Sequence, residues 1–295
     1  MNNTDILCYS TGIAGRDAQC AHGPMHLVRR FQQQHPTFSV QRNLTCDSND
    51  SGHAALDPIS QLNTQLAELT ANAVNQNRRF LTLSGDHSSA IGSWSGAARA
   101  LLAQQQQLGL IWIDAHMDSH TFDTSITSNI HGMPLAALLG HGDKKLTDIG
   151  HTVPALQPDH VILIGIRSYE PEERALLEKL NVKVYYVEEV HQRGLHTVLQ
   201  ETLSTLEQRV DRIGISIDID AVDPADAPGV STPEPNGIAA NELISALPAV
   251  CQHPKWLASE LTEFLPSQDL DNKTEKLALA LLGTLLGVKT SCTTE

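Results

Sequence analysis

The chain has 295 residues, and its 34 Asp and Glu outnumber its 20 Lys and Arg, for a formal net charge of −14. That length buries a sizeable core without covalent staples. The acid surplus excludes nucleic acid and anionic membrane surfaces as expected partners, since clustered Lys and Arg hold both.

The opening residues Met1 to Cys8 carry neither a basic nor a long apolar stretch, so no export signal is read. Cys8, Cys20, Cys46, Cys251 and Cys292 are widely spaced and read as reduced thiols, which gives a cytoplasmic expectation. Residues 43–54 read as a loop. A helix is predicted over Pro58–Gln76, where Leu and Ala recur at three- and four-residue spacing. The chain then continues as strand Arg79–Ser84, helix Ser89–Gln106 and strand Leu108–Ile113. Next come strand His160–Gly165, helix Pro171–Leu180, strand Val182–Val187, helix Leu195–Arg209 and strand Arg212–Ile217. Helix Ala239–Gln252, strand Trp256–Leu261, a loop at 266–274 and helix Thr274–Leu286 complete it. The longest apolar stretch, Leu277–Val288, is too short to span a bilayer. Near-continuous apolar strands alternating with helices predict a parallel α/β sheet flanked by helices, in one domain over residues 1–295.

Ligands in such sheets gather at the carboxyl ends of the strands. After Leu108–Ile113 the chain reads Asp114-Ala115-His116-Met117-Asp118, and an extended continuation would point Asp114, His116 and Asp118 the same way. After Arg212–Ile217 it reads Asp218-Ile219-Asp220, and after Arg79–Ser84 it reads Gly85-Asp86-His87. A single Asp-x-Asp is more often a cap or turn. Three acid or imidazole clusters at strand ends of one sheet instead indicate a metal centre, because converging carboxylates are costly to bury uncompensated. A donor set rich in carboxylate suits Mn²⁺ or Mg²⁺, and six donors suit a pair of ions that share carboxylates and activate water.

The motifs resemble those of the ureohydrolases, the family of arginase and agmatinase. Ser84-Gly85-Asp86-His87-Ser88 is similar to its Gly-Gly-Asp-His-Ser, and Asp114-Ala115-His116-Met117-Asp118 to its Asp-Ala-His-x-Asp. Ser216-Ile217-Asp218-Ile219-Asp220-Ala221-Val222-Asp223-Pro224 resembles the second aspartate box. His131-Gly132-Met133-Pro134, Thr232-Pro233 and Glu263-Phe264-Leu265-Pro266 resemble arginase segments. The resemblance implies a three-layer α/β/α fold with a mostly parallel sheet, and a homotrimer or homohexamer. It implies two Mn²⁺ per chain: one on His87, Asp114, Asp118 and Asp218, the other on Asp114, His116, Asp218 and Asp220. It makes His131 the proton-transfer group, Glu263 the carboxylate pairing with a cationic guanidino substrate, and Thr232 a residue of the same pocket.

The implied reaction is hydrolysis of L-arginine to L-ornithine and urea, with agmatine, guanidinobutyrate or formimidoylglutamate as alternative substrates. Where arginases bind the substrate's α-groups with Asn, Ser, Asn and Asp, this chain carries His120, Thr127, Asn129 and Glu170. The ungapped spacing from Asp118 to His131 favours the arginase type of loop.

Overall fold

The computed structural model describes residues 3–150 and 154–288. Eight strands form its sheet: β1 Thr4–Ser10, β2 Arg42–Thr45, β3 Arg79–Ser84, β4 Leu108–Ile113, β5 Val161–Ile166, β6 Lys183–Tyr186, β7 Arg212–Asp218 and β8 Trp256–Thr262. The spatial order is β2-β1-β3-β8-β7-β4-β5-β6, and every pairing is parallel. A parallel sheet is buried on both faces, and here successive residues of one strand serve opposite layers. Ile111 and Ile113 pack with helices Gly23–Gln34, Leu195–Glu207, Ala240–Ala246 and Lys273–Leu285. Leu110 and Trp112 pack with Leu56–Asn75, Ser89–Ala103 and Pro171–Leu180 on the other side. The result is the expected three-layer α/β/α arrangement.

The sequence reading misses several elements. β1 and β2 are absent from it, and part of the predicted 43–54 loop is the short edge strand β2, whose polar, mostly exposed Arg-Asn-Leu-Thr carries no strand pattern. Helix Gly23–Gln34 is also absent from it; Pro24 sits at its start and only Leu27, Val28 and Phe31 anchor its body. The predicted helix 239–252 is two pieces, Ala240–Ala246 and Pro248–Cys251, because Pro248 cannot continue the hydrogen-bond ladder. The predicted loop 266–274 holds a 3₁₀ turn at Pro266–Gln268, and the last helix begins at Lys273. Cys8, Cys20, Cys46 and Cys251 are free thiols, whereas Cys292 lies outside the described residues. Among the described residues no helix is long and apolar enough to cross a membrane.

Candidate metal centre

Strands β3, β8, β7, β4 and β5 are consecutive neighbours in the sheet. Their carboxyl ends therefore bring together His87, Glu263, the Asp218–Asp220 pair, the Asp114–Asp118 run and the Arg167–Glu170 segment. The turn after β3 is tight. Gly85 donates its N–H to Tyr9 O at 2.9 Å, and a Cβ there would stand 2.1 Å from Thr11 O, so only glycine fits.

The expected extended run from Asp114 to Asp118 holds only in part. Asp114 N–H still donates to Ile164 O at 3.1 Å, and His116 bridges Ser168 in parallel register. Asp118 then takes φ 49° and leaves the strand path. Glu263 also has a positive φ, 67°. Left-handed backbone at a non-glycine residue costs on the order of 1 kcal/mol or more, and two such residues meet at one site.

Two groups of donors converge. The donor atoms of His87, Asp114 and Asp218 lie within 4.8 Å of one another, as do those of Asp114, His116 and Asp220. Asp114 is common to both. His87 Nδ1 is 3.1 Å from Asp114 Oδ2, 3.0 Å from Asp118 Oδ2 and 3.2 Å from Asp218 Oδ2. His116 Nδ1 stands 3.1 Å from Asp220 Oδ2 and 3.5 Å from Asp114 Oδ1. Asp218 Oδ1 accepts the Asp220 N–H at 2.9 Å, which leaves its Oδ2 toward His87. All six predicted ligands are thus in the cluster.

The donor set fits divalent cations. His87 Nδ1 is buried with no hydrogen-bond partner, although three carboxylate oxygens surround it. Its tautomer follows from the groups behind it. Fully buried Glu260 accepts hydrogen bonds from Ser89 Oγ, Ser93 Oγ, Trp94 Nε1 and Ser216 Oγ. The Ser216 hydroxyl proton is therefore committed to Glu260, and Ser216 Oγ accepts from His87 Nε2–H at 2.9 Å. That leaves the Nδ1 lone pair pointing at the carboxylates, the geometry of a metal-ligating histidine with its other nitrogen anchored. The His87 ring also stacks on Trp112, whose Nε1 donates to Asp114 Oδ2 at 2.9 Å.

Electrostatics point the same way. Burial disfavours a charged His87, yet the close carboxylate oxygens of Asp114, Asp118 and Asp218 outweigh it and press for positive charge there. Burial and the neighbouring Asp114 charge push Asp118 up to about 6, and burial with Asp220 and Asp114 raises Asp218 as well. The carboxylates repel each other and call for cations.

The link through Ser216 gives a first prediction. Ser216→Ala is expected to weaken Mn²⁺ binding by roughly 10- to 100-fold, the usual cost of removing an anchor behind a ligating histidine. Titration of the metal-free protein measures it, and wild-type affinity in the variant would mean that Ser216 does not set the His87 tautomer.

His131 Nδ1 lies 3.1 Å from Glu263 Oε1, and its Nε2 has no protein partner among the described residues. Burial lowers the His131 pKa, but the hydrogen bond and charge of Glu263, with Asp118 and Asp86, lift it to about 9. Glu263 lies in a layer beneath His131. Its Oε1 also accepts the His87 N–H at 2.9 Å, and its Oε2 accepts from Ser231 Oγ at 2.6 Å and Cys20 Sγ at 3.7 Å. Burial and the charge of Glu263 raise the Cys20 thiol, which stays protonated.

A cleft of about 140 Å³ opens over the cluster. His116, Asp118, Asp218 and Asp220 are at its inner end, and His131 and Thr232 line its wall. Its outer part includes His120, Thr127, Asn129 and Glu170, all four predicted specificity positions. Thr232 lines the cleft and also donates to Asp220 Oδ2 at 3.0 Å, orienting that carboxylate. His120 Nε2 is 3.0 Å from Glu170 Oε2 and 3.4 Å from Glu173 Oε2.

Some residues of the site carry no sequence signal of their own. Glu173 is buried at the cleft and is pushed up to about 8, chiefly by burial. Its sequence pattern is that of a helix N3 glutamate, and it does close a capping box with Glu170. Arg167 donates to five backbone carbonyls, those of Gly165, Asp220, Ala221, Glu234 and Pro235, and so ties the second aspartate box to the end of β5. Ser231 and Cys20 join Glu263 from distant segments. For Glu260, the apolar β8 pattern around it conceals a buried acid.

A family model described as "Arginase family" matches residues 8–287. Arginase from Bacillus caldovelox is 40% identical over 243 residues, 82% of this chain and 80% of that protein. Arginase from Bacillus subtilis strain 168 is 37% identical over 268 residues, covering 90% of this chain and 89% of its own length. The solved native structure of the Bacillus caldovelox arginase superposes with a TM-score of 0.88 at 34% identity, covering 98% of this chain and 99% of that one.

Proposed function

The chain belongs to the arginase family, and from that premise we propose that it hydrolyses L-arginine to L-ornithine and urea with two Mn²⁺ per chain. Membership makes it a hydrolase of the ureohydrolase type with a metal-dependent fold. The observation that carries the choice of substrate is the outer part of the cleft. The hydroxyl of Thr127 and the amide of Asn129 offer donors for a carboxylate, and Glu170 offers charge for an ammonium. L-Arginine presents both groups, whereas agmatine keeps the ammonium and lacks the carboxylate, so the Thr127 and Asn129 donors carry the distinction.

In this reading His87, Asp114, Asp118 and Asp218 hold one ion, and Asp114, His116, Asp218 and Asp220 hold the other. The bound ions supply Lewis acidity and the activation of water at neutral pH. The acidic inner end draws in the guanidinium, and the outer polar groups fix the amino-acid end, so that the reacting carbon is held in place. His120 braces Glu170 and Glu173 where arginases have Asn. Glu263 keeps His131 charged and aimed, and His131 protonates the leaving amine. Both Glu263 oxygens are taken by protein donors, so its direct pairing with the guanidinium requires His131 to release Oε1. A homotrimer or homohexamer and a cytoplasmic location are the assembly and place that we expect for this enzyme.

A panel of L-arginine, agmatine and guanidinobutyrate with added Mn²⁺, scored for urea, tests the proposal. The expected result is a kcat/KM for L-arginine at least about 10²-fold above that for agmatine, since a site built to pair a carboxylate rejects a substrate lacking it. Preference for agmatine, or no urea from any of the three, would overturn it.

A further inference from the structure

The amino ends of β3, β8 and β7, at the pole of the sheet opposite the metal cluster, border a cavity of about 280 Å³. Arg78, Arg79 and Arg212 line it with Trp256 and the side-chain amides of Asn77 and Gln106, and no carboxylate does. We propose that this cavity binds a small multivalent oxyanion of the phosphate or polycarboxylate type.

Register brings the arginines together. Arg79 opens β3, Arg212 opens β7, and Trp256 opens β8 between them. Trp256 is paired with Ile213, the residue after Arg212, and Phe80, the residue after Arg79, is paired with Ala258. Neighbouring strands are about 4.8 Å apart, so the backbones of the two arginines stand roughly 10 Å apart across Trp256, and both residues line the one cavity at the strand ends. Arg79 already lies 4.4 Å over the Trp256 ring.

Two of the three charges there are uncompensated. Arg79 and Arg212 make no ion pair among the described residues. Arg78 is paired with Asp5, yet its Nε is buried without a hydrogen-bond partner. The nearby Asp211 has one oxygen engaged by the Gln107 N–H. In a chain with 34 acids and 20 Lys and Arg, three guanidinium groups around a cavity without a carboxylate are an exception to the surrounding field. Guanidinium forks match the geometry of phosphate and carboxylate oxygens, and the Trp256 face limits water on one side. Ligand bound here adds to stability by mass action, because the three strand ends assemble only in the folded chain.

Calorimetric titration of the intact protein with inorganic phosphate and with citrate, at constant ionic strength set with NaCl, tests the site. The wild type is expected to bind at least one of them at one per chain. Arg79→Gln and Arg212→Gln are each expected to weaken that binding about ten-fold or more while melting cooperatively like the wild type. Which anion binds separates the phosphate from the polycarboxylate form of the site. No binding of either anion by the wild type at millimolar concentration, or equal binding by wild type and both variants, would overturn the proposal. The result is independent of the assignment of the metal centre and of the substrate.

Discussion

Asp114→Asn is expected to remove divalent-ion binding and to lower kcat/KM for L-arginine by at least about 10³-fold, since the charge stabilisation at the reacting carbon goes with the ions. Asp114 is the residue common to both donor groups. It is fully buried, with Oδ2 fixed by Trp112 Nε1 at 2.9 Å and Oδ1 by the His116 N–H at 2.7 Å. Asparagine keeps the shape but withdraws the negative charge from both groups, and its amide can present a donor where an acceptor is needed. Asp220→Ala provides the comparison, because Asp220 belongs to the second group alone. Metal analysis of the dialysed proteins should show no ions on Asp114→Asn, one on Asp220→Ala and two on the wild type. Two ions and full activity in Asp114→Asn would take Asp114 out of the shared position.

His131→Asn is expected to lower kcat by about 10²- to 10⁴-fold, the usual contribution of a positioned general acid, with the metal content unchanged. The pH profile carries the sharper test. The His131 pKa is raised to about 9, because Glu263 and the neighbouring acids outweigh the opposing effect of burial. A group that must donate a proton is competent below its pKa, so His131 stays protonated at neutral pH and is lost as pH rises through about 9. The wild-type kcat is expected to fall along that limb, and His131→Asn to lack it. Glu263→Gln weakens the partner that holds the charge, so its limb should move to lower pH. A limb that keeps its place in all three proteins would assign the titration to another group.

Much of the site was legible because its chemistry is local in sequence. Each donor follows an apolar strand by one to five residues, and carboxylates at strand ends of one sheet have few structural explanations. The predicted strands from Arg79 onward agree with β3 to β8 within a residue at each end. The elements that were missed are those whose stability comes from neighbours. β2 has one buried residue, and its pairing with β1 makes it a strand. Helix Gly23–Gln34 is set by packing on the sheet through Leu27, Val28 and Phe31.

The sequence by itself determined the donor types and the strand ends that carry them, because hydrophobic period and residue chemistry are properties of short segments. It did not determine which strand ends meet. Chain order runs β3, β4, β5, β7, β8, whereas space runs β3-β8-β7-β4-β5, and only that order sets Glu263 beside His87 and Asp218 beside Asp114. Backbone geometry was likewise beyond it. Asp118 and Glu263 hold positive φ because the surrounding turns and hydrogen bonds over-determine them, against their local preference. The roles of Ser216 and Glu260 behind His87, and of Ser231 and Cys20 behind Glu263, come from contacts between residues tens to hundreds of positions apart. Such contacts exist only once burial has closed the sheet between its two helical layers, and no spacing rule along the chain encodes them.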